Sequence, residues 1–168
     1  GSILNSDQMN YVSDMNNFGK AQQVDDEMYA FDTVNITNFP LDNSNRTIAF
    51  WTKHVSNFSI HSYFNYFNHD IAGSNGFGLS YEPGNGLIFS KITAGAFTGT
   101  STSFATDLLW HHIALTFDGT TLKIYIDNSE VLSNAFSFSS STAGSIGKIG
   151  LSPGNQYYGN FLMDDFVV

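Results

Sequence analysis

The chain has 168 residues, enough to bury a two-layer core, and no cysteine, which excludes a disulfide framework, a thiolate metal site and a cysteine nucleophile. Aromatic residues make up 15% and charged residues only 12%, a bias that favours strands over helices. Six Lys and Arg against fifteen Asp and Glu give a formal charge of −9, which repels a phosphate backbone and argues against nucleic acid as a partner.

Residues 3–20 are polar and rich in Asn, Asp, Ser and Met, and they read as an irregular arm or a first short strand. Strand signals begin near Asp26. From Arg46 to Val55, Ile48, Phe50 and Thr52 alternate with Thr47, Ala49, Trp51 and Lys53, the period of two of a strand. Both faces carry apolar groups, so a central strand is expected. Phe58 to Phe67 sets Ile60, Phe64 and Tyr66 on one face and His61, Tyr63 and Asn65 on the other, which predicts one buried face and one surface.

A turn-rich segment, His69 to Gly76, leads into Phe77–Tyr81, a Pro83-Gly84-Asn85-Gly86 turn and Leu87–Ile92, the signature of a hairpin. The strongest hairpin joins Trp110–Asp118 to Leu122–Asp127 through Gly119-Thr120-Thr121. Ser133 to Ser145 reads as a loop or edge, and Ile146–Leu151 and Phe161–Val168 supply closing strands. No stretch reads as a long capped helix, and none approaches the ~18 apolar residues of a membrane-spanning one. Many short strands with turn signals between them predict an all-β fold, a two-sheet antiparallel β-sandwich of jelly-roll type. Gly1-Ser2 reads as a cloning scar, and the apolar run Phe166-Val167-Val168 as the trimmed end of a last strand. One module, residues 1–168, cut from a larger protein is therefore expected.

The run Trp110-His111-His112-Ile113-Ala114 through Asp118-Gly119 to Tyr125-Ile126-Asp127 resembles the signature of laminin-G-like, concanavalin-A-like lectin/glucanase domains. Three further pieces follow in that family's order. Phe18-Gly19-Lys20-Ala21 with Asp25–Tyr29 is similar to its opening, Thr47–Lys53 to its first core strand, and Ile149-Gly150, Gly159 and Met163–Phe166 to its close. The family usually has Gly where this chain has Asn128, another residue that tolerates a left-handed turn. The resemblance spans residues 18–168. It implies a concanavalin-A-like jelly roll and a structural calcium ion, Ca2+, tying the opening loop to the closing strand, which transfers to Asp26 and Asp164 as metal ligands.

Related glucanases use closely spaced carboxylates on one strand. Here no strand carries Glu and Asp at alternate positions, and Asp164 and Asp165 are neighbours whose side chains point to opposite faces. His111 and His112 face apart for the same reason, with no third ligand near in sequence, so a structural role is read for them. No Gly-x-Ser-x-Gly elbow is present. The chain therefore reads as a binding module and not an enzyme. For a ligand, the face His61, Tyr63 and Asn65 with the loop residues Asp70, Ser74 and Asn75 offers an aromatic ring for a pyranose and polar groups for its hydroxyls, and Tyr157 beside Asn155 offers a second rim. The expected function is a lectin-like, carbohydrate-binding module of a secreted or cell-surface protein such as an adhesin, with a glycan or polysaccharide as partner. The alternatives are a protein-interaction or spacer module, or an accessory domain of a polysaccharide-degrading enzyme.

Overall fold

The computed structural model describes residues 10–13, 20–25, 29–32, 43–56, 60–68, 76–93, 96–105, 107–137, 145–150 and 160–167. Among these residues the fold is all-β. The strands are β1 (Asn10–Ser13), β2 (Lys20–Asp25), β3 (Tyr29–Asp32), β4 (Arg46–His54), β5 (His61–Asn68), β6 (Gly76–Glu82), β7 (Gly86–Thr93), β8 (Ala96–Thr102), β9 (His111–Phe117), β10 (Thr121–Ile126), β11 (Ser129–Ala135), β12 (Ser145–Ile149) and β13 (Asn160–Val167). They form a seven-stranded sheet in the order β1-β2-β13-β4-β9-β10-β11 and a six-stranded sheet in the order β3-β12-β5-β6-β7-β8, antiparallel throughout.

Alternation drives the packing. Along β4, Arg46, Ile48, Phe50, Thr52 and His54 are buried while the residues between them are not, and β4 sits between β13 and β9 as a central strand. Ile113, Leu115 and Phe117 of β9 and Leu122 and Ile124 of β10 continue that inward face. Phe77, Leu79, Leu87 and Phe89 of β6 and β7 meet them from the other sheet. Each such side chain contributes about 1.5–3 kcal/mol on leaving water, and aromatic rings dominate, with Phe50 lying 5.4 Å from Tyr63 and 6.3 Å from Phe64.

The turns follow the sequence. Asp118 caps the β9–β10 turn, its Oδ1 accepting the Thr120 and Thr121 amides at 2.9 and 2.8 Å, and Gly119 takes a φ of 97°. Asp127 and Asn128 join β10 to β11 with φ of 49° and 68°, the two left-handed residues of a tight hairpin. Asn128 thus does what Gly does elsewhere in the resembling family. At the open side of the sandwich the edge strands β8 and β11 are stitched across the sheets: Thr102 Oγ1 donates to the Val131 carbonyl at 3.2 Å and Asn134 Nδ2 to Thr100 Oγ1 at 3.0 Å.

The structure adds elements that the sequence pattern did not signal. β2 lies ahead of Asp26, where the strand signals begin, whereas β1 falls within residues 3–20, the arm read as irregular or as a first short strand. β8 (AFTGTST) and β11 (SEVLSNA) carry little alternation because both are exposed edges.

Candidate functional site

The strand expected to present a ligand face does the opposite. β5 pairs with β6 as His61↔Tyr81, Ser62↔Ser80, then Phe64↔Leu79 and Asn65↔Gly78, so Tyr63 is an extra residue in a β-bulge. The bulge breaks the period of two. His61 and Tyr63 turn into the sandwich with 0% exposure, and Phe64 turns in beside them at 3%. Only Asn65 reaches the outer face, together with Ser62, to whose Oγ its Nδ2 donates at 2.5 Å.

His61 and Tyr63 serve the core at one end of the sandwich. The Tyr63 hydroxyl and His54 Nε2 share a short hydrogen bond. The His61 ring lies 4.4 Å from His54, and Tyr81 lies 4.5 Å from His54. The Asn160 amide donates to His61 Nδ1 at 3.1 Å, which leaves Nε2 to donate to the Ser56 carbonyl at 3.2 Å and fixes a neutral tautomer. Burial, and then the neighbouring His61 and His111 rings, hold the His54 pKa down at about 3, while burial also lowers His61 and raises the Tyr63 phenol. His111 behaves in the opposite way. Its Nδ1 lies 2.7 Å from Asp127 and its Nε2 3.0 Å from Asp107, and although burial works against the charge, the two carboxylates raise its pKa. Both ring nitrogens are committed to holding the 107–111 segment against the β10–β11 turn, a structural duty.

The outer face of the six-stranded sheet remains. Its registers align Asn65, Gly78, Ser90 and Gly99 in one row across four strands, and Ser62, Ser80, Ile88 and Ser101 in the next. Apart from Asn65 in the first row and Ile88 in the second, both rows consist of glycine and serine. Asn65 folds over Gly78, where an added Cβ would meet Asn65 Oδ1 at 2.0 Å. Asn65 and Ser90 are nearly closed off at 5% and 7% exposure, so the accessible part runs along β8, where Phe97, Gly99 and Ser101 are exposed and Phe97 stands out at 63%. This rail ends at a basin of about 440 Å³, formed by Gly84, Asn85 and Gly86 of the β6–β7 turn with Ser101, Ser103 and Phe104. Gly86 has a φ of 79° and a Cβ there would lie 2.2 Å from the Thr102 carbonyl, so the close approach that shapes the basin requires glycine. An exposed ring, several hydroxyls and an amide suit an uncharged polyhydroxylated ligand. Glu82 is the sole acid in residues 76–105, so this segment offers no carboxylate pair of its own for glycosidic cleavage.

Of the residues expected to act, Asp26, Asp70, Asn75 and Tyr157 lie outside the described residues. Asp164 is on β13, its Oδ1 accepting the Asp165 amide at 2.9 Å. The β2–β13 register pairs Asp25 with Asn160, four residues and about 13 Å along the strand from Asp164. Among the described residues no three His, Asp or Glu side chains gather around one point as metal ligands. Sequence reasoning missed Phe97, Gly99 and Ser101, because a short edge strand of small polar residues carries no periodic signal.

Residues 29–168 match the family model described as the concanavalin A-like lectin/glucanases superfamily. No characterised protein matches the chain by sequence. Solved structures share the fold. Domain 4 of AbnA, an extracellular GH43 arabinanase from Geobacillus stearothermophilus, solved with arabinotriose, superposes with a TM-score of 0.67 at 16% identity, over 96% of this chain and 77% of that one. Mouse laminin α1 chain domains LG4-5 give 0.65 at 12% identity over 95% of this chain, which spans only 42% of theirs. The Ruminococcus gnavus IT-sialidase CBM40 bound to α2,3-sialyllactose gives 0.62 at 16%, over 95% and 91%.

Proposed function

The chain belongs to the concanavalin A-like lectin/glucanases superfamily, and from that premise we propose that it is a non-catalytic carbohydrate-binding module of a secreted or cell-surface protein such as an adhesin. The observation that carries this reading is the β8 rail: the exposed Phe97, at 63%, beside Gly99 and Ser101 and continuous with the 440 Å³ basin. One ring of an oligosaccharide lies on the Phe97 face. The hydroxyl and amide groups of Ser101, Ser103 and Asn85, which begin about 13 Å further along the strand, exchange hydrogen bonds with the hydroxyls of later units. Similarly folded neighbours whose structures contain arabinotriose and sialyllactose support a saccharide as ligand, and their place within an arabinanase and a sialidase supports the variant in which this module serves a polysaccharide-degrading enzyme. The calcium ion implied by the family resemblance stays a proposal, with Asp26 of the opening loop and Asp164 of β13 as its ligands.

The test is a glycan array probed with the wild-type module and with Phe97→Ala. Because Phe97 is exposed, its removal leaves the core intact, and binding should weaken by at least about tenfold, the equivalent of one stacking contact. A blank array, or a hit indifferent to Phe97, would sink the reading. The alternative, a protein-docking module, is favoured by the exposed Leu108 and Leu109, at 40% and 61%.

A further inference from the structure

We propose that the outer face of the seven-stranded sheet carries a second, independent saccharide site, and that it takes a neutral oligosaccharide. The registers of β13, β4, β9 and β10 lay the outward side chains in three rows. Asp164, Trp51 and His112 form the first, Val167, Ala49, Ala114 and Tyr125 the second, with the exposed Val167 at the end opposite Tyr125, and Thr47, Thr116 and Lys123 the third. Successive outward rows on a strand are about 6.8 Å apart. Two alanines side by side therefore leave a trench between a taller row on each flank.

One flank is aromatic. The Trp51 and His112 rings lie 5.1 Å apart, tilted by 56°, and make a continuous wall along the trench. Tyr125 closes one end, anchored by its hydroxyl, which donates to Glu130 Oε2 at 3.2 Å. The third row opens into a cavity of about 360 Å³ lined by the threonines Thr47, Thr116 and Thr121, by Asn45 and Phe117 and by the charged Arg46, Asp118 and Lys123, a volume within the usual range for small-molecule sites. A ring wall, a flat alanine floor and a chamber of hydroxyls repeat, with different residues, what a sugar needs.

Charge selects a neutral ligand. Lys123 Nζ is held by Glu130 at 2.9 Å, and Arg46 Nε donates to the Ser44 carbonyl at 3.2 Å with its guanidinium over the Phe77 and Phe117 rings. Asp118 Oδ1 already accepts from Thr120 and Thr121, and Asp164 Oδ1 accepts the Asp165 amide, so the local charges are answered within the chain. The overall charge of −9 further disfavours an acidic sugar.

The chain has two tryptophans, so Trp110→Phe leaves Trp51 as the sole indole reporter. Titration of that variant with millimolar xylotriose, maltotriose or arabinotriose should change Trp51 emission saturably for at least one, while sialyllactose should not. Ala114→Gln, which fills the trench from an outward position, should weaken the response by at least about tenfold, and Phe97→Ala should leave it unchanged. In the wild-type protein the same sugar should shift the indole NMR signal of Trp51 and the amides of Ala49 and Ala114. The proposal is overturned if no neutral oligosaccharide produces saturation, if the response survives Ala114→Gln, or if it disappears with Phe97→Ala.

Discussion

Acidification from about pH 7.5 to about pH 5 should destabilise the sandwich by about 2 kcal/mol through His54 alone. His54 is 3% exposed, and burial followed by its histidine neighbours lowers its pKa from 6.5 to about 3. Between those two values the unfolded chain binds a proton that the folded chain refuses. The contribution of the neutral ring is therefore complete above the unfolded value and is lost as pH falls below it. At about pH 5 the gap is roughly 1.5 units, each worth about 1.36 kcal/mol, which for a domain of this size lowers the melting temperature by about 4–8 °C. His61, also lowered by burial, acts in the same direction. His111 opposes them: its folded pKa is raised, so its clamp is complete below the unfolded value of 6.5 and is released as pH rises through the folded one. Melting curves across this range should peak near or just above pH 6.5 and fall more steeply on the acid side. His54→Gln keeps a partner for the Tyr63 hydroxyl but cannot titrate, so its acid slope should be shallower by about one proton. Carboxylate titration is common to both proteins and cancels in the comparison. A variant with the wild-type slope would refute a buried neutral His54.

Tyr63→Phe should cost about 1–3 kcal/mol by stranding His54 Nε2, and Tyr63→Ala about 3–5 kcal/mol, both measured by denaturant unfolding; equal stability would contradict the core placement. Gly78→Ala should displace Asn65 from Ser62 and lower the melting temperature, since the new Cβ falls 2.0 Å from Asn65 Oδ1; an unchanged melting temperature and an intact Asn65 side-chain amide signal by NMR would refute the close approach. Excess chelator should lower the melting temperature if the opening loop binds calcium, because an ion held only by the folded state stabilises it by mass action; an identical curve removes that ion from the account.

The sequence was most legible where local and tertiary preferences coincide. Trp110 to Asp127 reads correctly because alternation, an Asp-Gly turn and a central position all agree, and the Pro83–Gly86 turn reads for the same reason. The candidate site was legible only in kind. His61, Tyr63 and Asn65 share a parity in sequence, but the bulge at Tyr63 moves two of them into the core, and a bulge is set by what the opposite sheet offers to fill. Here it offers His54, Phe50 and Phe161, the last with its ring 5.1 Å from Tyr63. β8 escaped notice because glycine, serine and threonine on an exposed edge leave no hydrophobic period to detect.

Both outer faces owe their relief to residues with little or no side chain on a regular ladder. At Gly99 an added Cβ meets nothing nearer than 3.3 Å, whereas Gly78 and Gly86 meet atoms at 2.0 and 2.2 Å. Single-codon changes at Gly99, Ala49 or Ala114 therefore remodel the outside while the inward Phe89, Phe50 and Ile113 keep their packing. Recognition and foldedness are separately heritable in such a scaffold: a lineage can drift from one ligand to another through these few positions, and Gly78 and Gly86 mark where that drift must stop.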